Sequence, residues 1–247
     1  ITFAIATPGP LLRKADMVGY AVCHQIESHS FSLACHQLPL CARCTGTFRG
    51  ALTGLVAQAL VLRRRRAARF PPAPILAVLI FFTFLWMADG VNSYLALIRA
   101  PHLYEPQNTL RLITGALNGL TMSALVYPIL NVSLWRSPAD RPAFRTLYDV
   151  AIVLLLETVL ILLILSGWDA LLYPVAFLSA AGVLTLLASV NTVIALSVLG
   201  RENSVQGWRE ALVPLSIGLI LAFIQIGLID LVRYALTGTL DGMPPFQ

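Results

Sequence analysis

Charged residues are scarce in this chain. Only 12% of its 247 residues are Asp, Glu, Lys or Arg, whereas 57% are apolar. Apolar runs of about 18 residues or more recur along the sequence, which is the length that a membrane-crossing helix needs. Soluble domains do not have this composition, and strand patterns are missing as well. We therefore predict an all-α fold, a polytopic helical bundle that forms one membrane domain in the lipid bilayer.

Familiar catalytic motifs are also missing. The sequence contains no G-x-S-x-G, no H-E-x-x-H, no phosphate-binding loop and no haem-binding C-x-x-C-H. No reaction therefore follows from the sequence, and it leaves open whether the protein is an enzyme. The net charge of +5 does not indicate a nucleic-acid partner, because the basic residues collect in short loops between apolar runs.

Six apolar segments make up the predicted membrane domain. They are Cys44–Leu62, Ala73–Ile98, Thr109–Leu134, Tyr148–Gly167, Leu171–Leu199 and Ala211–Ala235. Residues 1–22 are interrupted by prolines and charges, so we expect a flank or a surface helix there. The chain opens on Ile1 instead of methionine, and we expect a start or signal segment to precede it, with Ile1–Ala6 as its remnant.

The loop Arg63–Arg69 carries the strongest orientation signal, with five arginines in seven positions. Alternate loops place ten basic residues on its side and far fewer on the other. The positive-inside rule then makes this loop cytoplasmic in the cell (inner) membrane. Residues 1–43 become an extracytoplasmic segment that carries a Cys/His cluster, and residues 44–247 become the six-helix transmembrane domain.

All four cysteines lie within 22 residues, together with three of the four histidines. Cys41 and Cys44 form a C-x-x-C pair, the spacing that lets two thiolates reach one tetrahedral ion at about 2.3 Å. Upstream candidates are Cys23, His24, His29, Cys35 and His36. We predict a zinc site of Cys23, Cys41 and Cys44 with His24, Cys35 or His36 as fourth ligand. Sequence neighbours such as Cys23 and His24 seldom bind one ion together, because their side chains diverge, and the fourth ligand therefore stays open.

Two other readings of the cysteines stay open, disulfides and free buried thiols. An iron–sulfur cluster is disfavoured by the spacing. The plant-type run has about four and then two residues between its cysteines, but here five residues separate Cys35 from Cys41.

Several short motifs resemble a family of predicted prokaryotic membrane proteins, domain of unknown function 2085. These motifs are "CHQ", "SF", "LPLCARCTG", the Asp-Gly after a span, and "NTLRLITG". The similarity covers roughly Cys23 to Gly119, and "CARCTG" is its most specific part. It supports Cys23, His24, Cys41, Arg43, Cys44, Gly46, Asp89, Asn108, Arg111 and Gly115. His29 replaces the family's usual arginine, Cys35 is peculiar to this chain, and the resemblance implies no activity.

Gly46, Gly50 and Gly54 repeat every four residues, so the first span is predicted to be a central packing helix. Polar residues in or beside the spans must also find partners. For Asp89 we expect an arginine, Arg111 or Arg49, either as a structural ion pair or as part of a polar pocket with Arg43 and Asn108.

Glu157 lies in the middle of the fourth predicted span, and we predict no basic residue at the same depth in the membrane. We expect this carboxyl to be neutral and hydrogen-bonded inside the bundle, for example to Gln225. A partner protein or a proton path is the alternative.

Three functions follow as hypotheses. The first is an accessory or assembly subunit of a larger membrane complex, with a structural zinc at the outer face and membrane-protein partners. The second is a small membrane enzyme or carrier that uses Arg43, Asp89, Asn108 and Arg111 to bind an anionic or lipid-like ligand. The third is a redox protein that uses its cysteines near a quinone.

Overall fold

The fold of residues 11–239 is known from a computed structural model and is almost entirely helical. Ile1–Ala6, interpreted above as the remnant of a signal, lies outside these described residues. The helices are α1 Leu11–Val22, α2 Ala42–Val56, α3 Ala73–Leu97, α4 Asn108–Leu134, α5 Leu147–Leu165, α6 Leu172–Val198 and α7 Trp208–Thr237. A hairpin pairs β1 (Ser32–Leu33) with β2 (His36–Gln37), and β3 (Ala67–Arg69) pairs in parallel with β4 (Ala139–Pro142).

Five helical segments of the described chain are long and apolar enough to cross a membrane. They are Ala73–Leu97, Asn108–Leu134, Leu147–Leu165, Asp169–Val198 and Trp208–Thr237. The remaining predicted span corresponds to α2, whose 15 α-helical residues continue through a π-helical turn at Ala57–Val61. Together these segments confirm the predicted all-α membrane bundle.

Local sequence explains where several of these helices begin and end. Pro72 lies at the N-cap of α3, where a missing N–H costs little. Thr146 caps α5 and forms a reciprocal capping box with Asp149. Gly238 ends α7 in the left-handed conformation, which glycine adopts without steric cost.

The glycine repeat of α2 lies directly against α4. A Cβ added at Gly46 would overlap the Leu112 carbonyl, and one at Gly50 would lie 2.7 Å from the Ala116 oxygen. The contact is reciprocal, because Gly115 and Gly119 of α4 meet the backbone of α2 in the same way. Small residues let the two backbones approach closely, and α2 is the central packing helix that its sequence predicts.

Helix α1 is a surface helix, as expected for the N-terminal flank. Its apolar side packs on α6 and α7 through residues such as Leu12, Ala15 and Val18. At its end, Tyr20 stacks under the guanidinium of Arg233, whose carbon lies 3.8 Å from the ring centroid. These contacts hold the segment that contains Cys23 against the bundle.

The bundle has two chemically different ends. We call the end that contains Cys23 and Cys41 the cysteine end; there the backbone N–H of Ala34 reaches the loop before α6 by donating to Asp169. We call the end that contains Arg63–Arg69 the arginine end. At the arginine end Arg66 donates to the carbonyl of Gln206 at 2.9 Å and covers the Trp135 ring at 4.1 Å.

Candidate metal centre and adjoining polar cluster

The chain between α1 and α2 folds back on itself and brings Cys23 beside Cys41. Gln25 adopts a positive φ of 50° directly after the Cys23–His24 pair. Its side-chain amide then donates to the carbonyls of Asp16 at 3.0 Å and Pro39 at 2.8 Å, which joins the two ends of the segment. The short hairpin between them supplies Gln37, which donates to the Gln25 carbonyl at 2.9 Å.

The sulfur of Cys23 is the centre of the cluster. It accepts the backbone N–H of Cys41 at 3.2 Å and that of Gln25 at 3.4 Å. The ligand atoms of Cys23, His24 and Cys41 all lie within 4.8 Å of one another. Side-chain hydrogen bonds also link Cys44 to both Cys23 and Cys41. Three potential ligands, two sulfurs and an imidazole, therefore converge at the start of α2, and the thiol of Cys44 lies beside the two sulfurs.

The thiols of the cluster differ in acidity. The pKa of Cys23 is lowered, chiefly because the thiols of Cys41 and Cys44 donate hydrogen bonds to its thiolate. Donating its own proton raises the pKa of Cys41 to about 12. One thiolate is thus already stabilised by N–H and S–H donors, and thiolate is the form that binds metals.

Cys35 and His36 lie apart from this group. Both are exposed on the hairpin, where Cys35 has a φ of 60° at the turn. All four cysteines are free in the structure. Of the three candidates for the fourth ligand, His24 is the one that the fold brings to the sulfurs.

The donor set suits a tetrahedral metal ion. Three sulfurs with one imidazole is a common combination in structural zinc sites, where all four positions are filled by protein. Cys23 is 5% exposed and Cys41 3%, so these two sulfurs are shielded from water, whereas His24 and Cys44 are half-buried. The arrangement can hold a metal ion, and nothing in it is specific to one metal.

A polar cluster adjoins the cysteines on α2, α3 and α4. Arg43, between the two cysteines of the C-x-x-C pair, forms an ion pair with the carboxylate of Asp89. It also donates to the Ser93 hydroxyl at 2.9 Å. Asp89 accepts a second hydrogen bond, from the phenol of Tyr104 at 2.9 Å. Asp89 is 2% exposed, so both of its oxygens are held inside the protein.

We expected Arg111 or Arg49 to pair with Asp89, and this prediction was wrong, because Arg43 is the partner. Arg111 lies nearby but donates to the side chain of Asn108 at 2.8 Å and, at 3.4 Å, to Ser93. Arg43 forms the ion pair because the first turn of α2 lies beside the last third of α3, a proximity that span boundaries alone do not reveal. Ser93 and Tyr104 were missed as members of the cluster, although Ser93 stands one helical turn after Asp89 on the same face.

The expectation for Glu157 was also wrong, because Arg49 is its partner. Nη1 of Arg49 lies 2.9 Å from Oε2 of Glu157. Gln225, the suggested partner, instead accepts a hydrogen bond from Asn191 at 3.2 Å. Arg49 does not extend outward along the helix, since the packing of α2 against α4 and α6 encloses it.

Comparison with known proteins shows a similarity to one family, and that similarity indicates no activity. Residues 23–125 match the family described as predicted membrane protein, domain of unknown function 2085. An uncharacterized protein of Methanocaldococcus jannaschii is 30% identical over 108 residues, which are 44% of this chain and 63% of that protein. Another, from Methanothermobacter thermautotrophicus, is 29% identical over 104 residues, 42% of this chain and 83% of that protein.

No solved structure matches this chain. The family match contains the whole candidate metal centre and the polar cluster with Arg43, Asp89 and Arg111. It ends within α4, so the resemblance predicted from "CARCTG" and its companion motifs is confirmed over the part of the chain that carries the site. Over residues 23–125, less than half of its length, this chain is similar to the predicted membrane protein family of domain of unknown function 2085.

Proposed function

We propose that this protein is an accessory or assembly subunit of a larger membrane complex, and that a structural zinc ion holds its cysteine end together. Cys23, His24, Cys41 and Cys44 hold the ion in this proposal. The observation that carries it is the convergence of Cys23, His24 and Cys41 from the two ends of one chain segment, with the thiol of Cys44 beside the two sulfurs.

The position of the ligands favours a structural role. Cys23 and His24 follow α1, whereas Cys41 and Cys44 begin α2. An ion shared by these four residues ties the surface helix to the central packing helix. It fills all four tetrahedral positions with protein ligands and leaves none for a substrate or a water nucleophile.

Zinc fits this donor set better than an iron–sulfur cluster does. A cluster of the ferredoxin type needs four cysteines around it, but Cys35 is exposed on the hairpin and only three cysteines converge. A dithiol couple with a quinone gains no support either, because the sulfurs are enclosed by protein.

The accessory role is supported by the outer helices. In the membrane-spanning windows of α3 and α7 only 17% of the residues are buried, compared with 67% in α4. Large apolar side chains such as Phe84 and Leu231 therefore cover the outside of the bundle. Lipid or the helices of other membrane proteins can cover them equally well, as an accessory subunit requires.

The orientation in the membrane is part of the proposal. Basic residues cluster at the arginine end, where Arg66, Arg136 and Arg201 lie in the connections between helices. The positive-inside rule makes this end cytoplasmic and the cysteine end extracytoplasmic, in the inner membrane. Residues 1–43 then form the outer segment and residues 44–247 the transmembrane domain.

Metal analysis with a visible absorption spectrum tests the zinc half of the proposal. The protein purified in detergent should contain zinc and should not absorb in the visible range. An iron content with thiolate-to-iron absorption bands is the opposite result. Purification from native membranes in a mild detergent tests the other half, because an accessory subunit should migrate with a reproducible set of membrane proteins, and migration as the isolated chain contradicts it.

A further inference from the structure

A cavity of about 250 Å³ opens at the cysteine end between the polar cluster and the segment after Cys23. Ser28, His29, Ser93 and Arg111 form its polar wall, and Leu97 and Pro106 form part of an apolar wall. A cavity of this size is smaller than the roughly 300–1,000 Å³ of sites for drug-sized ligands. It therefore suits a single head group or a small ion.

Arg111 places a buried positive charge on this cavity. Its side chain is 5% exposed, and it donates hydrogen bonds to two uncharged groups, Asn108 and Ser93. The nearest carboxylate, Asp89, is already paired with Arg43. Within residues 11–239 no carboxylate forms an ion pair with Arg111, so one guanidinium charge faces the cavity without a counter-ion in contact.

His29 contributes an imidazole to the lining of this cavity. Its Nδ1 lies 3.4 Å from Nε2 of His24. An imidazole in this position can donate an N–H to a bound anion.

We propose that this cavity binds a phosphate group. A guanidinium, an imidazole and the side chains of two serines line it together, and this number of potential donors matches the several oxygens of a tetrahedral oxyanion better than a planar carboxylate. The role is separate from the structural zinc proposed above.

Two sources can supply such a group, free phosphate and the phosphodiester of a lipid. Leu97 is the last residue of the membrane-spanning helix α3, so the cavity opens at the depth of the lipid head groups. Its apolar wall accommodates the glycerol side of a head group as readily as it borders a free ion.

Binding to the full-length protein in nanodiscs tests the proposal. In the first arm, inorganic phosphate is titrated by calorimetry into the protein in phosphatidylcholine nanodiscs. In the second arm, the nanodiscs contain phosphatidylcholine and phosphatidylglycerol, and mass spectrometry measures how far phosphatidylglycerol is enriched around the protein. Arg111→Gln should weaken phosphate binding about tenfold or more, because a charge-assisted hydrogen bond is lost. The matched control is Arg99→Gln, which removes an exposed arginine from the same end and should leave binding unchanged.

The two arms separate the sources of phosphate. Loss of phosphate binding in Arg111→Gln identifies a site for the free ion, and Arg111-dependent enrichment of phosphatidylglycerol alone identifies a lipid site. Equal binding by wild type, Arg111→Gln and Arg99→Gln in both arms overturns the proposal.

A chemical experiment on the wild-type protein avoids any folding defect of a variant. Phenylglyoxal modifies accessible arginines, and peptide mass spectrometry reports each site separately. Phosphate should slow the modification of Arg111 and leave that of Arg99 unchanged. If phosphate protects neither arginine, or both to the same extent, the cavity does not bind it.

Discussion

Arg49 of α2 and Glu157 of α5 form an ion pair within the membrane domain, with Nη1 and Oε2 2.9 Å apart. The two residues are 1% and 2% exposed. Arg49 follows the first residue of α2 by seven positions, and Glu157 precedes the last residue of α5 by eight. They consequently lie at the same depth below the cysteine end, and the pair links the central helix to α5.

Removing one member of this pair should be severely destabilising. Glu157→Gln leaves the guanidinium of Arg49 buried without a counter-ion, so we expect the free energy of unfolding to fall by about 3–5 kcal/mol. Reversible unfolding in mixed detergent micelles measures this loss. Arg69→Gln is the control, because the pair of Arg69 with Asp140 is exposed and should be worth less than about 1 kcal/mol.

The double change Arg49→Met with Glu157→Met should recover most of the stability lost in the single variant. It removes both charges and fills the space with apolar groups of similar length. If the loss of unfolding free energy in the double variant equals the sum of the losses in the two single variants, the two charges are not coupled. Arg49 then contributes to stability through the packing of α2.

The polar cluster predicts which arginine is coupled to Asp89. Asp89→Asn should destabilise by leaving Arg43 without its carboxylate, and Arg43→Gln in the same chain should recover part of that loss. Double-mutant cycles compare this coupling with that of Asp89 and Arg111. We expect the larger coupling energy for Arg43; a larger value for Arg111 contradicts the arrangement of the cluster.

The helix contact between α2 and α4 predicts the cost of one added methyl group. Gly50→Ala would force a Cβ against the backbone of Ala116, with its Cα 3.0 Å away. Overpacking of this kind costs about 1–3 kcal/mol. Gly227→Ala is the matched helical control, since in the described part of the chain no atom lies within 4 Å of the added Cβ. Equal stability of the two variants would show that the backbones can separate freely.

Hydropathy and glycine spacing were enough to predict the helices and the central place of α2, because both depend on local sequence. The sequence also indicates which helix packs on α2, since Gly115 and Gly119 repeat at the same four-residue spacing in α4. The pairing of charges has no such signal. It depends on which helices are neighbours. The sequence therefore did not reveal that Arg43 pairs with Asp89 or that Arg49 pairs with Glu157.

The metal centre was predictable in part. The C-x-x-C spacing and the upstream Cys23 come directly from the sequence, but the fourth ligand depends on the path of the chain. Sequence neighbours usually diverge, yet the ligand atoms of Cys23 and His24 both lie within 4.8 Å of the Cys41 sulfur. Cys35 is an equally plausible fourth ligand by spacing, but it lies exposed at the hairpin turn, outside the cluster.

The proposed orientation predicts the location of each end. Alkaline phosphatase fused after Arg69 should be inactive, because that enzyme folds only outside the cytoplasm. A fusion after Arg99 should be active, since Arg99 follows α3 at the cysteine end. The reverse pattern would invert the orientation of every span and would place the cysteines in the cytoplasm.

Zinc content across matched cysteine variants tests the central claim most directly. The wild-type protein should hold one zinc ion per chain, Cys41→Ser should lose it together with thermal stability, and Cys35→Ser should keep both, because Cys35 is exposed outside the cluster. Elemental analysis of the three purified proteins, with thermal unfolding of each, gives the answer. Equal zinc in all three, or zinc in none, would contradict a metal held by Cys23, His24, Cys41 and Cys44.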